Sequence, residues 1–98
     1  MKQFVEVHYY LKPGMRDEFY QAVIAHGIAD ASRAEEGNEK YEYYFSPDNE
    51  DVLLLLEIWK SAEAVQLHGQ TAHFAWLGEL KKKYVSETVI RRYEISEK

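Results

Sequence analysis

The sequence predicts an α+β fold, in which two helices cover one face of a four-stranded antiparallel sheet. Some segments are rich in β-branched and aromatic residues, as strands are, and others carry apolar residues at helical spacing. Three short polar segments separate them, and each contains a glycine or a proline, the residues that most often mark turns. We expect a single domain over residues 1–98, since a chain this short supports one core.

The first strand and the first helix come from the N-terminal part of the chain. Residues 3–11 are rich in Val, Phe and Tyr and read as a strand. After the turn at residues 12–14, residues 15–34 carry apolar side chains on one helical face, and Gly37 stands where a helix terminator is expected. The pattern predicts one continuous helix between Met15 and about Ala34.

A hairpin, a second helix and a last strand follow. Residues 40–45 and 52–59 are predicted strands, because a turn sequence with Pro, Asp and Asn joins them. Ser61 is a suitable N-cap for a helix that extends to about residue 84, with a candidate break at Gly69. Residues 86–95 complete the order βαββαβ, which is the ferredoxin-like arrangement.

The strand at residues 52–59 is apolar on both faces. Its even-numbered residues are all apolar, and among the odd-numbered ones only Glu57 is polar. Helices cover one face of such a sheet, and a large exposed apolar patch is rare on a monomer. We therefore expect a homodimer, a dimeric α+β barrel whose two sheets face each other around an apolar small-molecule pocket.

Composition excludes several classes of function. A net charge of −5 argues against nucleic-acid binding, and the absence of cysteine excludes thiolate catalysis and zinc–thiolate sites. The longest apolar run, residues 52–56, is far too short to cross a membrane, and the N-terminal segment lacks a secretory signal pattern. We expect a cytoplasmic protein without membrane contact, with no nucleotide, flavin or other cofactor.

The candidate general bases are His8 and His68. His8 lies in the first strand on the face opposite Val5 and Val7, where it would face the dimer cavity. A histidine that titrates near neutrality in an apolar pocket suits proton abstraction from a phenol. A hydrogen-bonded histidine at the dimer interface is the alternative.

His68 and His73 stand five residues apart. On an unbroken helix this spacing separates them by roughly 140°, which is poor geometry for a shared metal ion. The sequence therefore predicts no metal site. A break at Gly69 would bring either ring over the mouth of the pocket, and packing or surface roles remain the alternative.

The remaining candidate residues would form the wall of the pocket. Glu57 is a carboxylate on an apolar strand face, so we expect it to pair with Arg91 or Arg92 or to bond a cavity histidine. Trp59 shares its face and could stack on a flat substrate. The other predicted substrate-binding residues are Tyr43, Tyr44, His73 and Phe74.

The chain resembles the antibiotic biosynthesis monooxygenase family over nearly its whole length. The best-matching segments are KPG at residues 12–14, SRAEEGN at 32–38 and EIWKSAEAVQLHGQTAHF at 57–74. The resemblance implies ferredoxin-like subunits that dimerise through their sheets. It also implies oxidation of quinol-like or polycyclic phenolic substrates by dioxygen without flavin, haem or metal. Trp59 and His68 match the family's motif positions.

The resemblance leaves two alternative functions open, and neither is haem degradation. The first strand lacks the asparagine of the haem-degrading branch, which argues against haem degradation. Other members of the family isomerise small phosphorylated sugars, and some have no demonstrated activity. A small-molecule isomerase and a non-catalytic ligand-binding or stress-response protein are therefore the alternative functions.

Overall fold

The computed structural model describes residues 1–96 and shows four strands and four helices. The elements are β1 Lys2–Leu11, α1 Arg16–Ala25, α2 Ile28–Arg33, β2 Asn38–Phe45, β3 Val52–Trp59, α3 Ala62–His68, α4 Ala72–Tyr84 and β4 Val85–Ile95. The strands form one antiparallel sheet in the order β2-β3-β1-β4. This topology confirms the predicted α+β, ferredoxin-like fold.

The first predicted helix is divided into two. Gly27 adopts a left-handed backbone conformation, φ 67°, between α1 and α2. Glycine adopts this conformation without a steric penalty, so the chain changes direction here. The prediction of a continuous helix was wrong because helical spacing of apolar residues continues through this glycine. The change of direction lets α2 bury Ile28, Ala29 and Ser32.

The second predicted helix is also divided, at the predicted position. Ser61 caps α3 by accepting a hydrogen bond from the backbone N–H of Ala64, at 3.1 Å. Helix α3 ends at His68, and Thr71 caps α4 by accepting from the N–H of Phe74, at 3.2 Å. The Thr71 hydroxyl also donates to the carbonyl of His68, at 2.8 Å, which fixes the angle between the two helices.

The odd-numbered residues of β1 and β3 face the helices. Register pairs Val5 with Glu57 and His8 with Leu54, so Glu57 lies on the helix side and His8 on the other. The residues buried under the helices include Val5, Val7, Tyr9, Leu53, Leu55 and Trp59.

The opposite face of the sheet, called here the helix-free face, carries many apolar side chains. Tyr10, Tyr44 and Tyr93 are 37%, 39% and 50% exposed on it. Leu54 and Leu56 lie between them in β3. No helix in residues 1–96 has the length and apolar character needed to cross a membrane.

Candidate functional site

A cavity of about 300 Å³ lies between the helix side of the sheet and helices α3 and α4. We call it the main cavity. Its wall is mostly apolar and carries four ionisable side chains besides tyrosine: Glu57, His68, Lys81 and Arg92. The apolar and aromatic residues of the wall include Val5, Val7, Tyr9, Tyr41, Phe74 and Leu77.

This position corrects the expectation that the candidate residues surround a pocket on the dimer side of the sheet. A smaller hollow of about 230 Å³ does lie on the helix-free face, with His8 and Tyr44 in its wall. The main cavity holds Glu57 and His68 on the other side of the sheet. His8 and His68 therefore cannot act at the same site.

Glu57 is a buried carboxyl group at the floor of the main cavity. Its Oε1 accepts a hydrogen bond from the indole N–H of Trp59, at 2.8 Å. Desolvation by burial raises the pKa of Glu57 to about 7; the indole hydrogen bond opposes this rise and the charge of Glu35 adds to it. Near neutral pH the group is therefore divided between a carboxylic acid and a carboxylate.

The expected pairing of Glu57 with an arginine was wrong. Arg92 donates to Gln3 Oε1 at 2.8 Å, and Arg91 lies 3.6 Å from Glu6 on the helix-free face. Glu57 and Arg92 are both register partners of Val5, from opposite sides, so their backbones are about 9–10 Å apart. Among the side chains of residues 1–96, the hydrogen-bond partner of Glu57 is Trp59 and not a histidine.

Glu35 joins the two histidines of the predicted motif. Its Oε2 lies 2.6 Å from Nδ1 of His68 and 2.7 Å from Nε2 of His73. The predicted separation of these rings by roughly 140° holds only for an unbroken helix. The break between α3 and α4 brings the ring centroids to 5.7 Å.

A tight contact between Gly37 and α3 positions Glu35. A Cβ atom at Gly37 would lie 2.4 Å from the Cβ of Ala64, so only glycine fits without displacement. The carbonyl of Gly37 also accepts a hydrogen bond from the N–H of Lys60, at 2.9 Å. These contacts dock the turn that carries Glu35 against the start of α3.

The imidazole of His68 is packed between aromatic rings and lines the main cavity. Its centroid lies 4.6 Å from that of Trp59 and 5.2 Å from that of Phe74. Burial lowers the pKa of His68, against the hydrogen bond and the charge of Glu35. A neutral ring that donates Nδ1–H to Glu35 has an unprotonated Nε2, which finds no hydrogen-bond partner within residues 1–96.

The structure divides the other predicted residues into four groups. Phe74 lines the main cavity, whereas His73 and Trp59 lie behind its wall as partners of Glu35 and Glu57. Tyr43 packs on Tyr41 at a centroid distance of 5.9 Å without reaching the wall. His8 and Tyr44 are on the helix-free side, and His8 Nδ1 lies 3.9 Å from Glu6.

Sequence reasoning missed three residues of this region, Glu35, Tyr41 and Lys81, and it named Arg92 only as an ion-pair partner of Glu57. Tyr41 is the register partner of Glu57, and its buried hydroxyl makes no hydrogen bond of good geometry within residues 1–96, with the hydroxyls of Tyr43 and Ser32 nearby. Lys81 lies near the C-terminus of α4 and also reaches the cavity, where burial lowers its pKa. For Glu35, the signal was the EEG turn of the family-like segment.

Comparison with known proteins identifies the family. The model of the antibiotic biosynthesis monooxygenase family matches residues 3–76. The chain belongs to this family. This chain is similar to YcnE of Bacillus subtilis strain 168, which is named as a candidate monooxygenase. The two are 35% identical over 88 residues, which cover 89% of this chain and 90% of YcnE.

Solved structures agree with this family fold. Rv0793 of Mycobacterium tuberculosis superposes with a TM-score of 0.87 at 19% identity, covering 100% of this chain and 98% of that one. A Caulobacter crescentus protein described as a candidate antibiotic biosynthesis monooxygenase superposes with a TM-score of 0.86 at 25% identity, covering 98% and 91%.

Proposed function

We propose that the protein is a cofactor-independent monooxygenase that oxidises a quinol-like or polycyclic phenolic small molecule with dioxygen in the main cavity. Family membership and the name of YcnE support a monooxygenase. The observation that carries the finer proposal is the position of His68, which lines an apolar cavity while Glu35 holds its Nδ1. A carboxylate on one ring nitrogen orients the other as a proton acceptor.

In the proposed reaction, Nε2 of His68 removes the proton of a phenolic hydroxyl. Glu35, 2.6 Å from Nδ1, stabilises the imidazolium that forms. The substrate anion is itself the reductant of dioxygen, so the protein supplies orientation, an apolar wall and hydrogen bonds. One oxygen atom is retained in the quinone product, and the other leaves as water with two hydrogens of the substrate.

Two further groups are placed to bind the substrate oxygens. The buried hydroxyl of Tyr41 makes no hydrogen bond of good geometry within residues 1–96, although the hydroxyls of Tyr43 and Ser32 lie near enough to lower its pKa, and an unsatisfied buried hydroxyl costs about 1–3 kcal/mol. A substrate oxygen would satisfy it. Glu57 in its protonated form would donate a hydrogen bond from the floor of the same cavity.

We also propose that the protein is a homodimer through the helix-free face. Exposed aromatic residues and the apolar side chains of β3 support this, since a face of this kind is rarely left in water. A second copy of the chain would cover it symmetrically.

An isomerase that acts on a small phosphorylated sugar is the second candidate. The observation that favours it is the presence of Glu57, Lys81 and Arg92 in one cavity, since the cations would bind a phosphate. The wall remains mostly apolar, which favours the aromatic substrate.

Oxygen uptake by purified, metal-free protein with a panel of hydroquinones tests the proposal. We expect turnover by the wild type and a large loss in His68→Ala, with Glu35→Gln reduced less strongly. The matched control is His26→Ala, because His26 is exposed and stacks on Trp76 away from the cavity. Equal rates in the wild type and His68→Ala would refute the assignment, and loss in His8→Ala alone would move the site to the helix-free face.

A further inference from the structure

We propose that Glu35, His68 and His73 form a binding site for one divalent transition-metal ion. The spacing of the two histidines in the sequence predicted that they could not share a metal ion. The test of this site is independent of the proposed reaction, because ion binding is measured without any substrate.

The three ligand atoms reach tetrahedral spacing after side-chain shifts of up to about 1.5 Å. The three ligand atoms, Glu35 Oε2, His68 Nδ1 and His73 Nε2, lie within 4.8 Å of one another. In a tetrahedral site with bonds of about 2.0–2.1 Å, ligand atoms are about 3.3 Å apart. The two hydrogen-bond distances of 2.6 and 2.7 Å would therefore open by less than about 1 Å, and the distance between the two ring nitrogens, at most 4.8 Å, would close by up to about 1.5 Å.

The donor set also has the right chemistry. Two imidazole nitrogens and one carboxylate oxygen suit zinc, iron(II), cobalt and nickel, and they leave coordination positions open for water or a further ligand. The side chains of His68, Glu35 and His73 are 6%, 16% and 19% exposed, so bulk water has limited access to the ligands. Within residues 1–96, the carboxylate of Glu35 pairs with these two rings and with no lysine or arginine.

The surrounding structure holds the three ligands in place. The ring of His68 is fixed by Trp59 and Phe74, and Thr71 fixes the start of α4 from which His73 projects. A separate cavity of about 450 Å³, whose wall includes Glu35 and Thr71, offers an ion and its water ligands a route from solvent. Ligands held in advance by packing lose little conformational entropy on binding an ion.

Metal binding would exclude the proposed role of His68 as a base. An ion on Nδ1 requires the neutral ring to carry its proton on Nε2, the nitrogen that must accept the substrate proton. An ion at this site would therefore inhibit the oxygenase, and a chelator would restore its activity.

Isothermal titration calorimetry with Zn²⁺ tests the site on untagged protein that has been stripped of metal. We expect one ion per chain, and affinity reduced about tenfold or more in Glu35→Gln and in His73→Ala. The matched controls are Glu36→Gln and His26→Ala, whose side chains are exposed and lie outside the cluster, and both should bind like the wild type. Circular dichroism of each variant verifies folding.

Histidine-selective ¹⁵N spectra identify the atoms that bind the ion. We expect Zn²⁺ to shift Nδ1 of His68 and Nε2 of His73 while the signals of His26 stay unchanged. Absence of saturable binding, or wild-type affinity in both Glu35→Gln and His73→Ala, would overturn the proposal and leave a hydrogen-bonded cluster only. These results do not depend on oxygen uptake, so failure of the site and failure of the proposed reaction are distinguishable.

Discussion

Trp59 donates its indole N–H to Glu57, two residues earlier on the same face of β3, at 2.8 Å. The bond provides a hydrogen-bond donor for a buried carboxyl group that has no cation beside it. It also connects a residue of the cavity wall, Glu57, with a residue of the sequence motif behind that wall. The indole ring packs on His68 at a tilt of 37°, with centroids 4.6 Å apart, so one tryptophan supports both Glu57 and the candidate base.

Trp59→Phe tests this support. Loss of the donor removes the contribution that lowers the pKa of Glu57, so we expect this pKa to rise above its present value of about 7. We expect a stability loss of about 1–3 kcal/mol from the unsatisfied carboxyl group. The pKa is measured by ¹³C NMR of the side chain and the stability by urea unfolding. Trp76→Phe is the control because Trp76 is 54% exposed, and an equal loss there would contradict the assignment.

Glu57→Gln tests the effect of the raised pKa on stability. The folded state holds the Glu57 proton up to about pH 7, whereas the unfolded state releases it near the ordinary value of 4.5. The folded state therefore binds more protons in this window, and its stability falls as pH rises from about 4.5 to 7, by up to about 3 kcal/mol. Urea unfolding at pH 5 and pH 8 should show this fall in the wild type and a smaller one in the variant. A fall of equal size in both proteins would contradict the assignment to Glu57.

Gly37→Ala tests the docking of the turn that carries Glu35. The new methyl group would overlap Ala64, so we expect a loss of about 1–3 kcal/mol and weaker contact between Glu35 and His68. Gly78→Ala is the matched control, since Gly78 lies inside α4 with no atom within 4 Å of the new methyl group. That change should be neutral or stabilise by up to about 1 kcal/mol. Thermal unfolding of both variants measures the difference.

Leu54→Lys tests the proposed dimer. Leu54 lies in the middle of the helix-free face and pairs with His8 across β1 and β3. A charge at this position would be buried without a partner in a dimer interface, so we expect a monomer. Sedimentation velocity at micromolar concentration should show the wild type at twice the 11.5 kDa chain mass and the variant at the single mass. A wild type that sediments as a monomer would contradict the interface.

The fold could be predicted from local signals because each lies within one element. The turn around Pro47 and the cap at Ser61 are examples, and the hairpin and the helix that they predict are both present. The division of the first helix was missed, because apolar spacing does not show the left-handed conformation of Gly27.

The site was harder to predict because it depends on relations between elements. The alternation of side chains along β1 correctly placed His8 on the face opposite Val5. It could not show which residues of β3 share a face with Val5, because that depends on the register that pairs Val5 with Glu57. Glu35 was missed for the same reason, since its contact with His68 joins residues 33 positions apart.

The tautomer of His68 tests the central claim most directly, and no substrate is needed. In ¹⁵N spectra of the metal-free protein at neutral pH, we predict a neutral His68 ring that carries its proton on Nδ1, toward Glu35, and has an unprotonated Nε2. In Glu35→Gln the preference for this tautomer should weaken. A wild-type ring protonated on Nε2 would contradict the assignment of His68 as the base.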